Sequence, residues 1–408
     1  MRLSPLPAPG PLRTLSLATL ANTVGTGLWL AGGALYLTRG VGLPATAVAA
    51  GLTVAGLVGL TASVPLGALA DRRDPRTLRA LLQVGQAVAA GAYLLVDSVP
   101  VFLLVAVVES LLATGNLAVR AALVAAVGGP GGRVHAFATL RAVANLGIAV
   151  GAGSAGFALA ADSVAGYRAL VVGNVLTYLL SAALLLRLPP QPPVAATRKR
   201  PWAALRDGRF VAVSAASAVL SLYVTLLGLV VPLWIVGRTG APPPVVSAVL
   251  LVNTVLTVLL AVRLSRGVDR AAPAARRMRR AGLLLAAATP LYAASAGRSS
   301  GTATVLLLAA TVLLTVGDLW HSSAGAGLAY DLATPDAIGA YQGVDGMLGG
   351  LARAVGPALL TPLVLGGGGP GWLVLGVVFA GTGLAVPALT RWARAADGRA
   401  GEVAASPP

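Results

Sequence analysis

Apolar residues run along this chain in twelve long, unbroken stretches, each closed by a short loop rich in glycine, proline or arginine. None shows the period-two alternation of a half-buried strand, so the pattern predicts helices, which satisfy their own backbone hydrogen bonds in lipid. A bilayer core takes roughly 20 apolar residues per helix, a length met by runs at about 14–38, 44–69, 77–96, 100–127, 134–160 and 166–187. A second set lies at about 210–236, 242–262, 281–297, 302–330, 337–364 and 371–392. The predicted fold is all-α integral membrane: 12 transmembrane helices in two six-helix, pseudo-symmetric bundles.

Composition agrees, with 57% hydrophobic and 11% charged residues and a mean hydropathy of +0.84, outside the range of a soluble domain. Many runs are rich in Ala, Gly and Val, which favours close helix contacts through small residues. A net charge of +17 would point to nucleic acid in a soluble protein, but its placement assigns it to topology. Arg2, Arg13, Arg72, Arg73, Arg76, Arg79, Arg133, Arg198, Lys199, Arg200, Arg206 and Arg209, then Arg266 to Arg280 and Arg391 to Arg399, fall on one side. The other side holds chiefly Arg39, Asp97, Asp162, Arg168, Arg238 and Arg298. Both termini are therefore expected in the cytoplasm, with the first run read as helix 1 rather than a leader. One lysine among 30 basic residues reads as a GC-rich bacterial genome, hence a plasma membrane. Cysteine is absent, and His135 and His321 form no ligand cluster, so neither metal nor cofactor is expected.

The sextets are separated at 188–209 by Pro189, Pro190, Pro192 and Pro193 followed by basic residues, a stiff then charged connector. The expected organisation is a tail at 1–13, a bundle at 14–187, the connector, a bundle at 210–392 and a tail at 393–408. Ala149-Val150-Gly151 in helix 5 is echoed by Ala354-Val355-Gly356 in helix 11, and Asp71-Arg72 by Asp269-Arg270. Six plus six spans with such echoes predict two parallel repeats around a midplane cavity.

Between the second and third spans, the residues Gly67 to Arg76, including Asp71 and Arg72, resemble the loop signature of the major facilitator superfamily. Asp74 and Pro75 stand where that signature carries glycine and a basic residue. Gly147, Gly151, Gly153 and Gly156 in helix 5 are similar to the small-residue motif of the family's exporters, with Ala152 in place of the usual proline; helix 11 keeps Gly356 followed by Pro357. Bland helix packing explains the same glycines. The resemblance covers about Thr14 to Arg394. It implies a monomeric carrier in which Asp71 meets Arg120 and the start of helix 11, latching an outward-facing state. Headgroup snorkelling is the alternative for Arg120 and Arg141.

Charged residues at mid-depth cost about 2.5–3.5 kcal/mol each on insertion scales, which makes those retained there functional candidates. Glu109, Asn116 and Arg120 fall on one face of helix 4. Helix 10 carries Asp318 and His321; helix 11 carries Asp345 and Arg353. One expectation is that Glu109 or Asp318 takes up and releases a proton, while Arg353 supplies a counter-charge or binds an anionic substrate group. The alternative is a static ion pair holding helices 4, 10 and 11 in register. Asn22, Asn116 and Asn145 either line the cavity or bond between helices.

These residues point to a secondary transporter working by alternating access, exporting a small organic molecule in exchange for protons across the bilayer. One proton crossing about 100 mV and one pH unit supplies about 2.3 plus about 1.4 kcal/mol, enough for a gradient of about 500-fold. Uptake or facilitated transport by the same fold is the alternative. An integral-membrane enzyme or a non-transporting binding protein is the reading of another class. Against the enzyme, no loop has room for a catalytic domain, and no nucleotide, metal or nucleophile constellation is present.

Overall fold

The computed structural model describes residues 7, 9–160, 163–191, 203–242, 244–335 and 337–395. Arg2, Asp162, Pro192, Pro193, Arg198, Lys199, Arg200 and the tail containing Arg399 lie outside them. Twelve long helices follow one another, with no strand among the described residues. Helix α1 (Pro11–Leu35) continues into a π turn at Tyr36–Gly40. Next come α2 (Thr46–Arg72), α3 (Pro75–Leu95), α4 (Val99–Gly129), α5 (Gly131–Gly156) and α6 (Val164–Leu185). The second set is α7 (Gly208–Arg238), α8 (Pro244–Leu264), α9 (Ala271–Ala294), α10 (Ser300–Asp331), α11 (Ile338–Gly366) and α12 (Gly368–Ala395).

Ten of these are long and apolar enough to cross a membrane on length and composition. The other two are α1, polar along its first turns, and α9, whose beginning carries Arg276, Arg277, Arg279 and Arg280. The fourth and fifth spans are separated where expected, by a tight break at Gly129, whose positive φ (63°) makes the turn without the Cβ clash an L side chain would suffer there.

Contacts divide the chain into two compact units. One comprises the described residues of Met1–Ala203 with Thr334–Met347, the other those of Ala204–Ala333 with Leu348–Pro408. In the first unit, α1 packs on α5 and α6. A Cβ on Gly27 would overlap the Ile148 carbonyl, and one on Gly151 that of Val24, so the α1 and α5 backbones touch. An aromatic core of Tyr36, Tyr93, Phe102 and Tyr167 fills the end of this unit near the π turn.

In the second unit, α9 lies between α10 and α12. Trp372 stacks on Tyr292 at 4.9 Å and meets Trp234 edge-on at 5.6 Å. The echo read in sequence has a counterpart in each unit, because Gly356 of α11 packs against Thr225 and Leu222 of α7 as Gly151 of α5 packs against α1. The loop echo differs: the start of α9 is met by Asp331, which accepts from the Ala271 amide at 2.7 Å, rather than by Asp269.

Candidate functional site: the Asp71 cap and the buried polar chain

Near the end of α2, Asp71 is only 7% exposed. Its two carboxylate oxygens accept the backbone N–H groups of Gly339 at 2.6 Å and Ala340 at 2.9 Å, the first turn of α11. Those amides have no partner within their own helix, and the positive end of the helix dipole favours a carboxylate there. The approach depends on missing side chains. A Cβ on Gly67 would overlap the Gly339 carbonyl, one on Gly339 would overlap that of Gly67, and one on Gly343 would lie 2.7 Å from the Ser63 carbonyl. The Ser63 hydroxyl also donates to the Gly343 carbonyl at 2.8 Å. Gly67, Asp71, Gly339 and Gly343 thus form one seam within the first unit, beside which Arg72 is exposed.

The departures from the family signature have a local explanation. Asp74 caps α3, accepting from the Arg76 amide at 3.0 Å and the Thr77 hydroxyl at 2.9 Å, while Pro75 occupies the first helical position. Partial burial works to raise the Asp74 carboxyl, but the hydrogen bonds from Thr77, Arg76 and Gln191 and the Arg76 charge together hold it below its ordinary range. Arg76 bonds Asp74 at 3.1 Å and reaches the Leu188 carbonyl at 2.8 Å, fastening the start of α3 to the end of α6.

Deeper in the first unit lies a buried polar chain. The Arg79 Nε donates to Asn116 Oδ1 at 3.1 Å, and Asn116 Nδ2 donates to Gln86 Oε1. Gln86 Nε2 donates to the Tyr178 hydroxyl at 3.3 Å, which donates in turn to Glu109 Oε1 at 3.4 Å. A guanidinium cannot accept, so Asn116 must present its oxygen to Arg79, and this fixes each amide orientation in turn. The bonds run one way, from cation to carboxylate. Sequence reading counted Arg79 only among the basic residues of the cytoplasmic side; it lies near the start of α3 and is 1% exposed. It also missed Gln83, Gln86 and Tyr178. The available signal was the spacing of 79, 83 and 86, a polar face on an otherwise apolar span. Arg120 lies half-buried one turn beyond Asn116, near enough to Arg79 for their charges to repel.

In the second unit, Asp318 and His321 are both buried on α10. His321 Nε2 lies 2.9 Å from the Ser217 carbonyl and 3.1 Å from its hydroxyl. The carbonyl can only accept, so Nε2 carries a proton. The imidazole meets Tyr223 edge-on at 5.6 Å. On α11, Asp345 is half-buried and Arg353 exposed. Pro357 has no N–H to give the Arg353 carbonyl four residues back, which loosens the helix there. Of the helix 5 motif, Gly147 and Gly151 meet α1, whereas Gly153 and Gly156 face open space. Asn22 buries a side-chain oxygen without a hydrogen-bond partner.

Residues 15–357 match the sequence profile of the Major Facilitator Superfamily. No curated protein matches the chain in sequence. Among solved structures, it is similar to a bacterial homologue of the iron transporter ferroportin in an outward-facing state: TM-score 0.75, 15% identity, 95% of this chain and 100% of that one covered. It also resembles the human organic anion transporter MFSD10 (TM-score 0.70, 18% identity, 92% of this chain and 98% of that one). A third likeness is to the proton:xylose symporter XylE bound to 6-bromo-6-deoxy-D-glucose (TM-score 0.63, 14% identity, 92% and 94%).

Proposed function

Because this chain belongs to the major facilitator superfamily and is a multi-pass membrane transporter, we propose that it exports a small organic molecule in exchange for protons, by alternating access. The observation that carries the alternating-access reading is the Asp71 carboxylate on the first turn of α11 across a glycine seam. Backbone amides held by a carboxylate, with little side-chain interlock, make a contact strong enough to favour one state and weak enough to open. A carboxylate at a helix N-terminus contributes about 0.3–1 kcal/mol, a bias rather than a lock.

Proton coupling falls to Glu109 or Asp318, the acids retained in spans where charge is costly. Arg353, exposed on α11 beside the backbone break made by Pro357, supplies a counter-charge or receives an anionic group of the substrate. The helix 5 glycines favour export over uptake. In this reading the protein is a monomer of a bacterial plasma membrane, with both termini in the cytoplasm.

Growth of an efflux-deficient bacterial host expressing the protein, scored over a broad panel of toxic small molecules, tests the function and its direction. Resistance to a subset supports export and names a substrate class. Hypersensitivity reverses the direction, and no change across the panel removes drug-like substrates. Loss of pH-dependent transport in Glu109→Gln or Asp318→Asn identifies the coupling acid; intact pH dependence in both refutes that assignment.

A further inference from the structure

Inside the second unit, away from the residues given roles above, a cavity of about 270 Å³ opens between the starts of α7 and the ends of α10 and α12. Arg206, Asp207, Arg209, Phe210, Leu332 and Ala393 line it. Two arginines face one carboxylate, and Asp207 already accepts the Phe210 amide at 3.1 Å. Arg209 is held in place: its Nη1 donates to the Trp392 carbonyl at 3.3 Å, and its guanidinium lies 5.3 Å from the Trp392 ring centroid. A guanidinium has five N–H donors in a planar fork that matches two oxygens of a phosphate, so this contact leaves most of them for a ligand.

The surroundings indicate the source of that phosphate. Trp392 is 49% exposed beside the cavity, as an aromatic residue at a membrane–water boundary is. Two turns earlier on α12, Leu384 presents an exposed apolar side chain, so an acyl chain has a surface to follow. Arg391 and Arg394 flank the lining residue Ala393. By the charge asymmetry of the loops, these helix ends belong to the arginine-rich side, where anionic headgroups concentrate. At about 270 Å³ the cavity has room for a phosphate headgroup and lies at the lower edge of the about 300–1,000 Å³ of drug-sized sites. We propose that this cavity seats the phosphate headgroup of an anionic phospholipid whose acyl chains lie along α12, making the second unit a lipid-binding body as well as half of a carrier.

The test is native mass spectrometry of the full chain released from nanodiscs of phosphatidylcholine containing phosphatidylglycerol, together with thermal unfolding in the same discs and in phosphatidylcholine alone. One to two phosphatidylglycerol molecules should stay bound, with unfolding raised by several degrees. Arg206→Gln and Arg209→Gln should each weaken retention about tenfold, the loss of one charge-assisted contact. Arg263→Gln, which removes an exposed charge elsewhere, should leave retention unchanged. Equal retention in all three variants overturns the proposal. So does stabilisation by inorganic phosphate or glycerol 3-phosphate in detergent matching that by the lipid, since the site would then serve a free phosphate. If an arginine variant fails to fold, the wild-type comparison of phosphatidylglycerol against phosphatidylcholine decides: no difference overturns it.

Discussion

Arg79 and Glu109 occupy the two ends of a single hydrogen-bond chain, through Asn116, Gln86 and Tyr178, in which every donor points away from the arginine. The helices α3, α4 and α6 each contribute to it. Aligned donors polarise one another in a low-dielectric interior, and a fully satisfied network ties its helices to one arrangement.

Breaking the middle of that chain should therefore be felt at both ends. Gln86→Leu strands the Asn116 amide and one partner of Tyr178, at about 1–3 kcal/mol for each buried group left unsatisfied. Thermal unfolding in detergent should show the loss. Combining it with Asn116→Leu should cost clearly less than the sum of the single changes, because the two residues share one network. Additive losses would mean that the links act independently.

Asp71→Asn retains one acceptor oxygen but sets an NH₂ against a helix amide and removes the charge. The start of α11 should separate from α2 more often by about 1–2 kcal/mol, a factor of about 5–30. The absence of cysteine makes this measurable with a lone Ala340→Cys, buried in the seam, whose thiol-labelling rate should rise by that factor. An unchanged rate would leave the carboxylate without a gating role.

Gly67→Val tests the seam differently, because its side chain would collide with the Gly339 carbonyl. The same Ala340→Cys reporter should become freely labelled and transport should fall at least tenfold, while Gly381→Val on α12, which meets nothing, should leave both unchanged. Normal transport by Gly67→Val would show that the closed seam is not part of the cycle.

At the α2–α3 turn the prediction concerns pH. The Asp74 carboxyl is held below its ordinary value, so its contribution is present above the unfolded-state value, about 3.9, and is lost as pH falls through the depressed folded value. Asp74 sits partly exposed in a turn, where solvent screening keeps the effect within about 0–1 kcal/mol. The protection of the Arg76 amide, its exchange rate relative to the intrinsic rate at the same pH, should fall on acidification in the wild type. In Asp74→Ala that protection should be low already and insensitive to the step.

Helix count and order are legible in the sequence because length and unbroken apolarity determine them, and the family signature locates Asp71 before its partner is known. Arg79 is not legible as a buried residue. A basic side chain four residues past the turn fits the topological charge bias equally well, and the amide that receives it, Asn116, lies 37 positions away on α4. The break between α4 and α5 is legible, by contrast, because the run of glycines around residue 129 marks it, and one residue at positive φ makes the turn. The run at 281–297 marks only the later part of α9, whose arginine-bearing first turns belong to the same helix.

Three helices widen into π turns, at Tyr36–Gly40, Leu226–Val230 and Thr361–Gly366, in α1, α7 and α11. A π turn spends one more residue than an α turn to climb the same circuit. Each therefore holds a residue's worth of slack. Taking it up would swivel everything beyond it by about 100°, carrying Trp234 on α7 to a new azimuth without breaking the helix, so these three rods contain a mechanical pivot built of backbone alone.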